Sequence, residues 1–225
     1  MDSDKKPVIG IVGGTGDLGT GIARRLTRAG YAVVIGSRTA DNAHIACDAL
    51  KQAAEAGGWG AIQVSSGDNH HAATAGDVVF VTVPFGAQRS TLDALVDHVS
   101  GKIVVDVTVP LVPPKVARVQ LPAEGSAGQI AQDILGEGVR VVSALQNVAA
   151  AHLNSDAAIH CDVLVTGNEK SARQVVIDLL SAMGLTAYHA GLINNAAAAE
   201  ALTSVLINLN KQFKTHAGIK ITGLD

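Results

Sequence analysis

Aromatic side chains make up only 3% of this 225-residue sequence, and its 17 lysines and arginines are outnumbered by 20 acidic residues, for a formal net charge of −3. A protein that neutralises phosphates and stacks bases needs the opposite balance, so nucleic-acid binding is not expected. Cysteine is equally scarce. Cys47 and Cys161 stand outside any CxxC spacing and read as reduced structural thiols. The pairs His70-His71 and His160-Cys161 project in different directions on regular structure, with no second ligand pair at a useful spacing, so no metal site is expected. No apolar run approaches the ~18–20 residues needed to span a bilayer. The start, MDSDKKP, is charged and leads straight into an apolar run. It lacks a signal-peptide pattern, and a cytoplasmic protein is expected.

What the sequence does have is apolar residues, 48% of the chain, gathered into short runs. These are Val8–Val12, Ala32–Gly36, Val78–Pro84, Ile103–Val109, Val139–Leu145, Val163–Val165 and Thr186–His189. Between them lie stretches of helical period. Leu18, Ile22, Leu26 and Ala29 share one face and stop at Gly30; Leu92, Leu95, Val96 and Val99 do the same and stop at Gly101. Ser126 and Gln129 form a capping-box pattern ahead of a helix through Leu135. Residues 109–114, VPLVPP, must be an extended, rigid connection leaving a strand end.

Strand alternating with helix predicts βαβ units, hence an α/β fold with a Rossmann-type doubly wound parallel sheet over residues 1–150. Past an alanine-rich helical bridge near residue 150, a strand, a helix over Ser171–Ala182, another strand and a long helix predict a small C-terminal α/β domain over 151–225. In that last helix Leu202, Val205, Leu206, Leu209 and Phe213 form an apolar stripe, expected to be core or a dimer interface.

The chemistry starts at GGTGDLG, residues 13–19, where Gly14-Thr15-Gly16-Asp17-Leu18-Gly19 fits GxGxxG. The pattern alone is weak; a strand before it and an amphipathic helix after it make it a dinucleotide cradle. In that cradle the first glycine permits the turn, the second lets backbone approach a pyrophosphate, and the third lets the helix pack closely on the sheet. The second strand runs out as Ile35-Gly36-Ser37-Arg38-Thr39. An NAD site usually carries a carboxylate there for the ribose 2′-hydroxyl. Here a guanidinium stands between two hydroxyls, the donors a 2′-phosphate needs, so NADP is the expected cofactor.

In an open α/β sheet the ligand lies beyond the carboxyl ends of the strands. Three exits then wall the nicotinamide site: Val83-Pro84-Phe85, Thr108-Val109-Pro110, and Leu145-Gln146-Asn147. Phe85 fits core packing as well as cofactor contact, and the adjacent amides Gln146 and Asn147 fit ligand binding or a turn. No catalytic side chain is nominated. A Tyr-x-x-x-Lys pair is absent, since Tyr31 and Tyr188 have Ile35 and Leu192 four positions on. Hydride transfer between two redox cofactors needs no protein acid or base, only orientation of the two rings, and fits this lack.

The chain resembles the NADP oxidoreductases that depend on the deazaflavin coenzyme F420, over nearly its whole length. The likeness rests on GGTGDLG at 13–19, GSR at 36–38, VPLVPP at 109–114, GSAGQIA at 125–131 and VVSALQNVAA at 141–150. It continues in DVLVTG at 162–167, AGLINNA at 190–196, EALTSVLINLN at 200–210 and HAGIKITG at 216–223. The resemblance implies reversible hydride transfer between NADPH and F420, a small-molecule redox partner, and a homodimer. It implies that Thr15, Gly16, Asp17 and Leu18 cradle the pyrophosphate and that Ser37 and Arg38 hold the 2′-phosphate. Val83 and Ala150 then lie on the nicotinamide side, and Ala217 at the deazaflavin.

Two positions depart from the family pattern. Asn42 stands where some members add a lysine to the 2′-phosphate site, and Gln146 stands where well-characterised members have a histidine. A glutamine can donate and accept a hydrogen bond but carries no charge near neutral pH. The sequence therefore leaves open another hydride acceptor (a flavin, a ferric chelate, a small imine or carbonyl) and a non-catalytic NADP-binding module.

Overall fold

The computed structural model describes residues 6–224. The charged opening residues 1–5, on which the reading of no signal segment rests, lie outside them. The chain alternates strand and helix: β1 (Ile9–Val12), α1 (Asp17–Arg28), β2 (Val33–Ser37), α2 (Ala40–Ala56), β3 (Val64–Asp68), α3 (Asn69–Ala75), β4 (Val78–Val81) and α4 (Phe85–Leu95). It continues with β5 (Ile103–Asp106), α5 (Ala127–Leu135), β6 (Arg140–Ser143), α6 (Ala150–Leu153), β7 (Asp162–Gly167), α7 (Lys170–Ala182), β8 (Thr186–His189) and α8 (Ala196–Phe213).

The strands form one eight-stranded sheet in the order β3-β2-β1-β4-β5-β6-β7-β8. Neighbours are parallel as far as β6; β7 runs antiparallel to β6, and β8 parallel to β7. The first six strands have the doubly wound Rossmann order, with its switch point between β1 and β4. The strands contributed after residue 150 extend that same sheet.

Burial on both faces explains why the central strands read as unbroken apolar runs. All four residues of β1, β4 and β5 are buried. Their alternation sorts them into two cores: Ile9, Ile11, Phe80 and Val105 pack with Ile22 and Leu26 of α1, while Val12, Val79, Val81 and Val104 pack with Leu92 and Leu95 of α4. The runs expected at Val78–Pro84 and Ile103–Val109 leave the sheet three residues early, because Pro84 opens α4 as its N-cap and Asp106 ends β5. β3, VSSGD, is a half-exposed edge strand without a hydrophobic run, and for that reason the sequence pattern does not announce it.

Residues 150–157 are bolted to α1. The guanidinium of Arg25 donates to the carbonyls of His152, Leu153, Ser155 and Ala157, and across to Met183. Arg24 and Arg28 pair with Asp156. The chain after the bridge is thereby fixed against the helix that begins at the glycine loop.

Candidate functional site

The glycines of residues 13–19 do different work from the assignment by motif. The left-handed residue of the turn is Gly13 (φ 72°), not Gly14. Gly14 is instead needed for packing, since a Cβ there would lie 2.9 Å from the Ile11 carbonyl oxygen and 3.1 Å from Ile35 Cγ2. Gly19 is the close-contact glycine expected, with a Cβ falling 2.7 Å from Gly14 Cα and 2.8 Å from Thr82 Oγ1. Gly16 is the exception. Its backbone is ordinary extended chain (φ −80°), and a Cβ would meet nothing nearer than the Gly13 oxygen at 3.9 Å. The protein itself has room for a side chain there, and that room opens on the cradle.

Backbone donors converge on the same space. Gly16 is the N-cap of α1 and offers no side-chain acceptor to the first turn. The N–H groups of Gly13 and Gly14 are taken, by Asn69 Oδ1 at 3.0 Å and the Gly36 carbonyl at 2.8 Å. Among the described residues those of Thr15, Asp17 and Leu18 meet no acceptor. Free N–H groups at a helix N-terminus, with its positive dipole end, suit a pyrophosphate. Asn69 is a member of this site that the motif does not reveal: it lies 56 residues from Gly13 in sequence and enters through a strand with no hydrophobic signature.

Beside the cradle, Ser37 is buried at the end of β2, and Arg38 and Thr39 are exposed just beyond it. Arg38 forms no salt bridge among the described residues. Ser37 and Arg38 line a cleft of about 300 Å³ together with Asp68, Asn69 and His70 from the exit of β3, and Ser90, Thr91, Ala94 and Leu95 of α4.

On the other side of the switch point, Val83 reaches the glycine loop: its Cγ1 lies 2.7 Å from where a Gly13 Cβ would stand. Pro84 and half-buried Phe85 follow at the start of α4. Ala150 opens α6, which packs on α1. Asn154 Nδ2 bridges the two by donating to the Ala150 and Asp17 carbonyls, so Ala150 is brought to the cradle. Ala217 is brought to the same wall. Its N–H donates to Asn210 Oδ1 at 2.6 Å, the His216 carbonyl meets His152 Nε2 at 3.1 Å, and Gly218 packs on Cys161 near the Asn147 carbonyl.

Three residues named from the strand exits have side chains committed inside. Thr108 Oγ1 donates to buried Asp106 at 2.6 Å. Gln146 Nε2 donates to Ser143 Oγ at 2.8 Å and to the Asp106 carbonyl at 3.3 Å. Asn147 Nδ2 donates to the Ala199 carbonyl at 2.8 Å and to Thr203 Oγ1 at 3.3 Å. Leu145, ahead of them, is buried with a left-handed backbone (φ 74°), which costs a leucine about 1–2 kcal/mol. This turn leads the chain out of β6 and under α8, where the Thr203 hydroxyl holds the Gln146 carbonyl at 2.8 Å.

Under these exits lie two buried carboxyls. Asp106 accepts from Thr108 and from Gln88 Nε2; burial pushes its pKa up to about 6, against the pull of those donors. Glu200 of α8 accepts the N–H groups of Ala127 and Gly128 at 2.7 and 3.0 Å, capping α5 from another helix. Burial, with a smaller push from the charge on Asp106, raises its pKa to about 8 despite those two bonds. Glu200 sits in an alanine-rich stretch and reads in sequence as a surface charge. Of the stripe on α8, Leu206 is buried and Leu202 and Leu209 half-buried, but Val205 and Phe213 are 47% and 64% exposed.

Residues 8–110 match the family model described as NADP oxidoreductase, coenzyme F420-dependent. The F420-dependent NADP reductase of Methanocaldococcus jannaschii is 39% identical over 223 residues, covering 96% of this chain and 99% of the relative. That of Methanothermobacter thermautotrophicus is 38% identical, covering 96% and 95%. Among solved structures, one provisionally assigned as an F420-dependent NADP reductase from Arthrobacter sp. FB24 superposes with a TM-score of 0.78 at 25% identity, over 97% of this chain and all of that one. A pyrroline-5-carboxylate reductase from Coxiella burnetii, 17% identical with a TM-score of 0.55, shares the fold. No helix among the described residues is long and apolar enough to cross a membrane.

Proposed function

Because the chain belongs to the family of coenzyme F420-dependent NADP oxidoreductases, we propose that it transfers a hydride reversibly between NADP(H) and F420. The observation that carries this reading is the reach of the likeness: it runs through the third of the chain after residue 150 as well as the nucleotide part. The open cradle supports it. The N–H groups of Thr15, Asp17 and Leu18 hold the pyrophosphate, Gly16 leaves it space, and Ser37, Arg38 and Thr39 hold the 2′-phosphate. Val83, Pro84 and Phe85 flank the nicotinamide. Ala150, at the start of α6, lies on the nicotinamide side, and Ala217, on the wall built by residues 151–225, borders the deazaflavin. The bound pair of redox rings supplies the hydride chemistry; the chain binds them, orients them and keeps water out.

A second acceptor remains in play for one reason. At the family's histidine position this chain has Gln146, and its amide nitrogen is spent on Ser143 and Asp106. Adding F420 or FMN to enzyme and NADPH separates the two readings: loss of F420 visible absorbance in proportion to enzyme supports the first, and turnover on FMN alone supports the second. The 2′-phosphate assignment has its own test. Arg38→Ala weakens NADPH by about 1.5–3 kcal/mol, the worth of a hydrogen bond to a charged group, and leaves NADH nearly unchanged; equal losses for both sink it.

The homodimer is part of the same proposal. Val205 and Phe213 on α8 are joined by Val112, Val119 and Leu121 of the connection between β5 and α5 as exposed apolar side chains, and Ser204 ties that connection to α8 through the Val116 carbonyl. A second copy of this surface covers them. Light scattering on the purified protein reads the mass directly, and the cytoplasm is the proposed compartment.

A further inference from the structure

We propose that His70 is a second 2′-phosphate-reading residue, which makes the preference for NADP(H) over NAD(H) dependent on pH. The inference rests on the nucleotide site proposed above. His70 lines the cleft that Ser37 and Arg38 open onto, and it is the one other side chain lining that cleft able to take a positive charge. Its Nδ1 lies 3.0 Å from His98 Nε2, and His98 Nδ1 lies 2.9 Å from Thr74 Oγ1. That chain fixes the ring and leaves Nε2 as the nitrogen without a partner among the described residues.

The Thr74 hydroxyl can donate or accept, so His98 can take either tautomer. With the neutral imidazole of His98 accepting from His70 Nδ1–H, a proton on Nε2 makes His70 a cation bonded at one end and free at the other. Imidazole is the side chain whose charge changes between pH 5 and 8. The charged and titratable groups around it are few. Arg38 lines the same cleft from just beyond β2, Asp68 from the end of β3, and His98 meets the ring from the 3-10 turn after α4. The Lys102 ammonium is bonded to the Ala73 and Thr74 carbonyls at the far end of α3. The Asp68 carboxylate accepts from the His71 N–H at the start of α3.

Equilibrium binding of NADP+ and NAD+ to the whole protein, by calorimetry at pH 6 and pH 8, tests this without turnover. The preference of the unsubstituted protein for NADP+ is expected to fall about threefold to tenfold more across that range than that of His70→Gln. The 2′-phosphate has its own ionisation near pH 6, which is common to both proteins and cancels. His70→Lys is expected to restore the low-pH preference at pH 8. A His70→Gln protein with the unsubstituted preference and pH profile overturns the proposal. So does an equal loss of NADP+ and NAD+, which would make His70 an adenine or cleft-shaping residue. Failure of the unsubstituted protein to bind NADP+ overturns the nucleotide reading and this one with it.

Discussion

At the glycine loop the N–H groups of Thr15, Asp17 and Leu18 are open, and a glycine stands where the protein has room for a side chain. At the exit of β6, Gln146 and Asn147 are buried, with their amide nitrogens bonded to Ser143, Asp106, Ala199 and Thr203. One region keeps unspent polar capacity for a ligand; the other spends its polar capacity on its own shape. The glycine-loop end is therefore suited to a charged ligand, while the strand-exit wall offers backbone and small side chains such as Ala150 and Ala217. A wall of that kind suits a flat ring that must lie against another ring, where orientation matters more than polar capture.

The comparison breaks most severely at Glu200. Its carboxyl oxygens satisfy two backbone donors that nothing else among the described residues reaches, so Glu200→Ala orphans two buried N–H groups. At about 1–3 kcal/mol for each group, a loss of about 2–6 kcal/mol is expected in denaturant unfolding. A loss under 1 kcal/mol would mean that water replaces the carboxylate, and that this region is less closed than its burial implies.

At the open end the expected loss is in binding. Gly16→Val adds a branched side chain at a position where the fold leaves a Cβ free, so NADP+ binding is expected to weaken markedly with little change in melting temperature. Gly19→Ala is the control, since its Cβ falls on Gly14 and Thr82 and must cost stability. Should Gly16→Val unfold the protein and spare binding, the glycine would be structural and the cradle reading wrong.

Much of this contrast is legible in the sequence at one end only. The glycine spacing and the Ser37-Arg38 exit depend on residues adjacent in the chain, and they stand where the pattern puts them. Gln146 and Asn147 are also found at a strand exit as expected, but which way an amide turns depends on Ser143, Ala199 and Thr203, as much as 56 residues away. Asn69, His70 and Glu200 are invisible for the same reason. β3 is polar and half exposed, so nothing marks the strand that delivers Asn69 and His70 to the cleft. Glu200 differs from a solvated helix charge only through the helix end packed against it.

The smallest of the expected effects separates the two buried carboxyls by pH. Asp106 has a folded pKa of about 6 against 3.8 for the free side chain. Between about pH 4 and pH 6 the folded state therefore holds a proton that the unfolded state has lost, and stability falls as pH rises through that window. Glu200, raised to about 8 from 4.5, has the same sign over a wider range. From these two groups the protein is more stable at pH 5 than at pH 8, with about 1–3 kcal/mol of the difference owed to Asp106. Asp106→Asn can still accept from Gln88 and can donate to the Thr108 hydroxyl, losing the 3.3 Å bond from the Thr108 N–H, so it keeps the volume while removing the charge. Its melting temperature is expected to fall less steeply than that of the unsubstituted protein between about pH 4 and pH 6, where both carboxyls otherwise contribute, and to keep the Glu200 decline up to about pH 8. A variant that keeps the full decline below pH 6 would place that titration elsewhere, and would leave Asp106 as a carboxylate held ionised by Thr108 and Gln88.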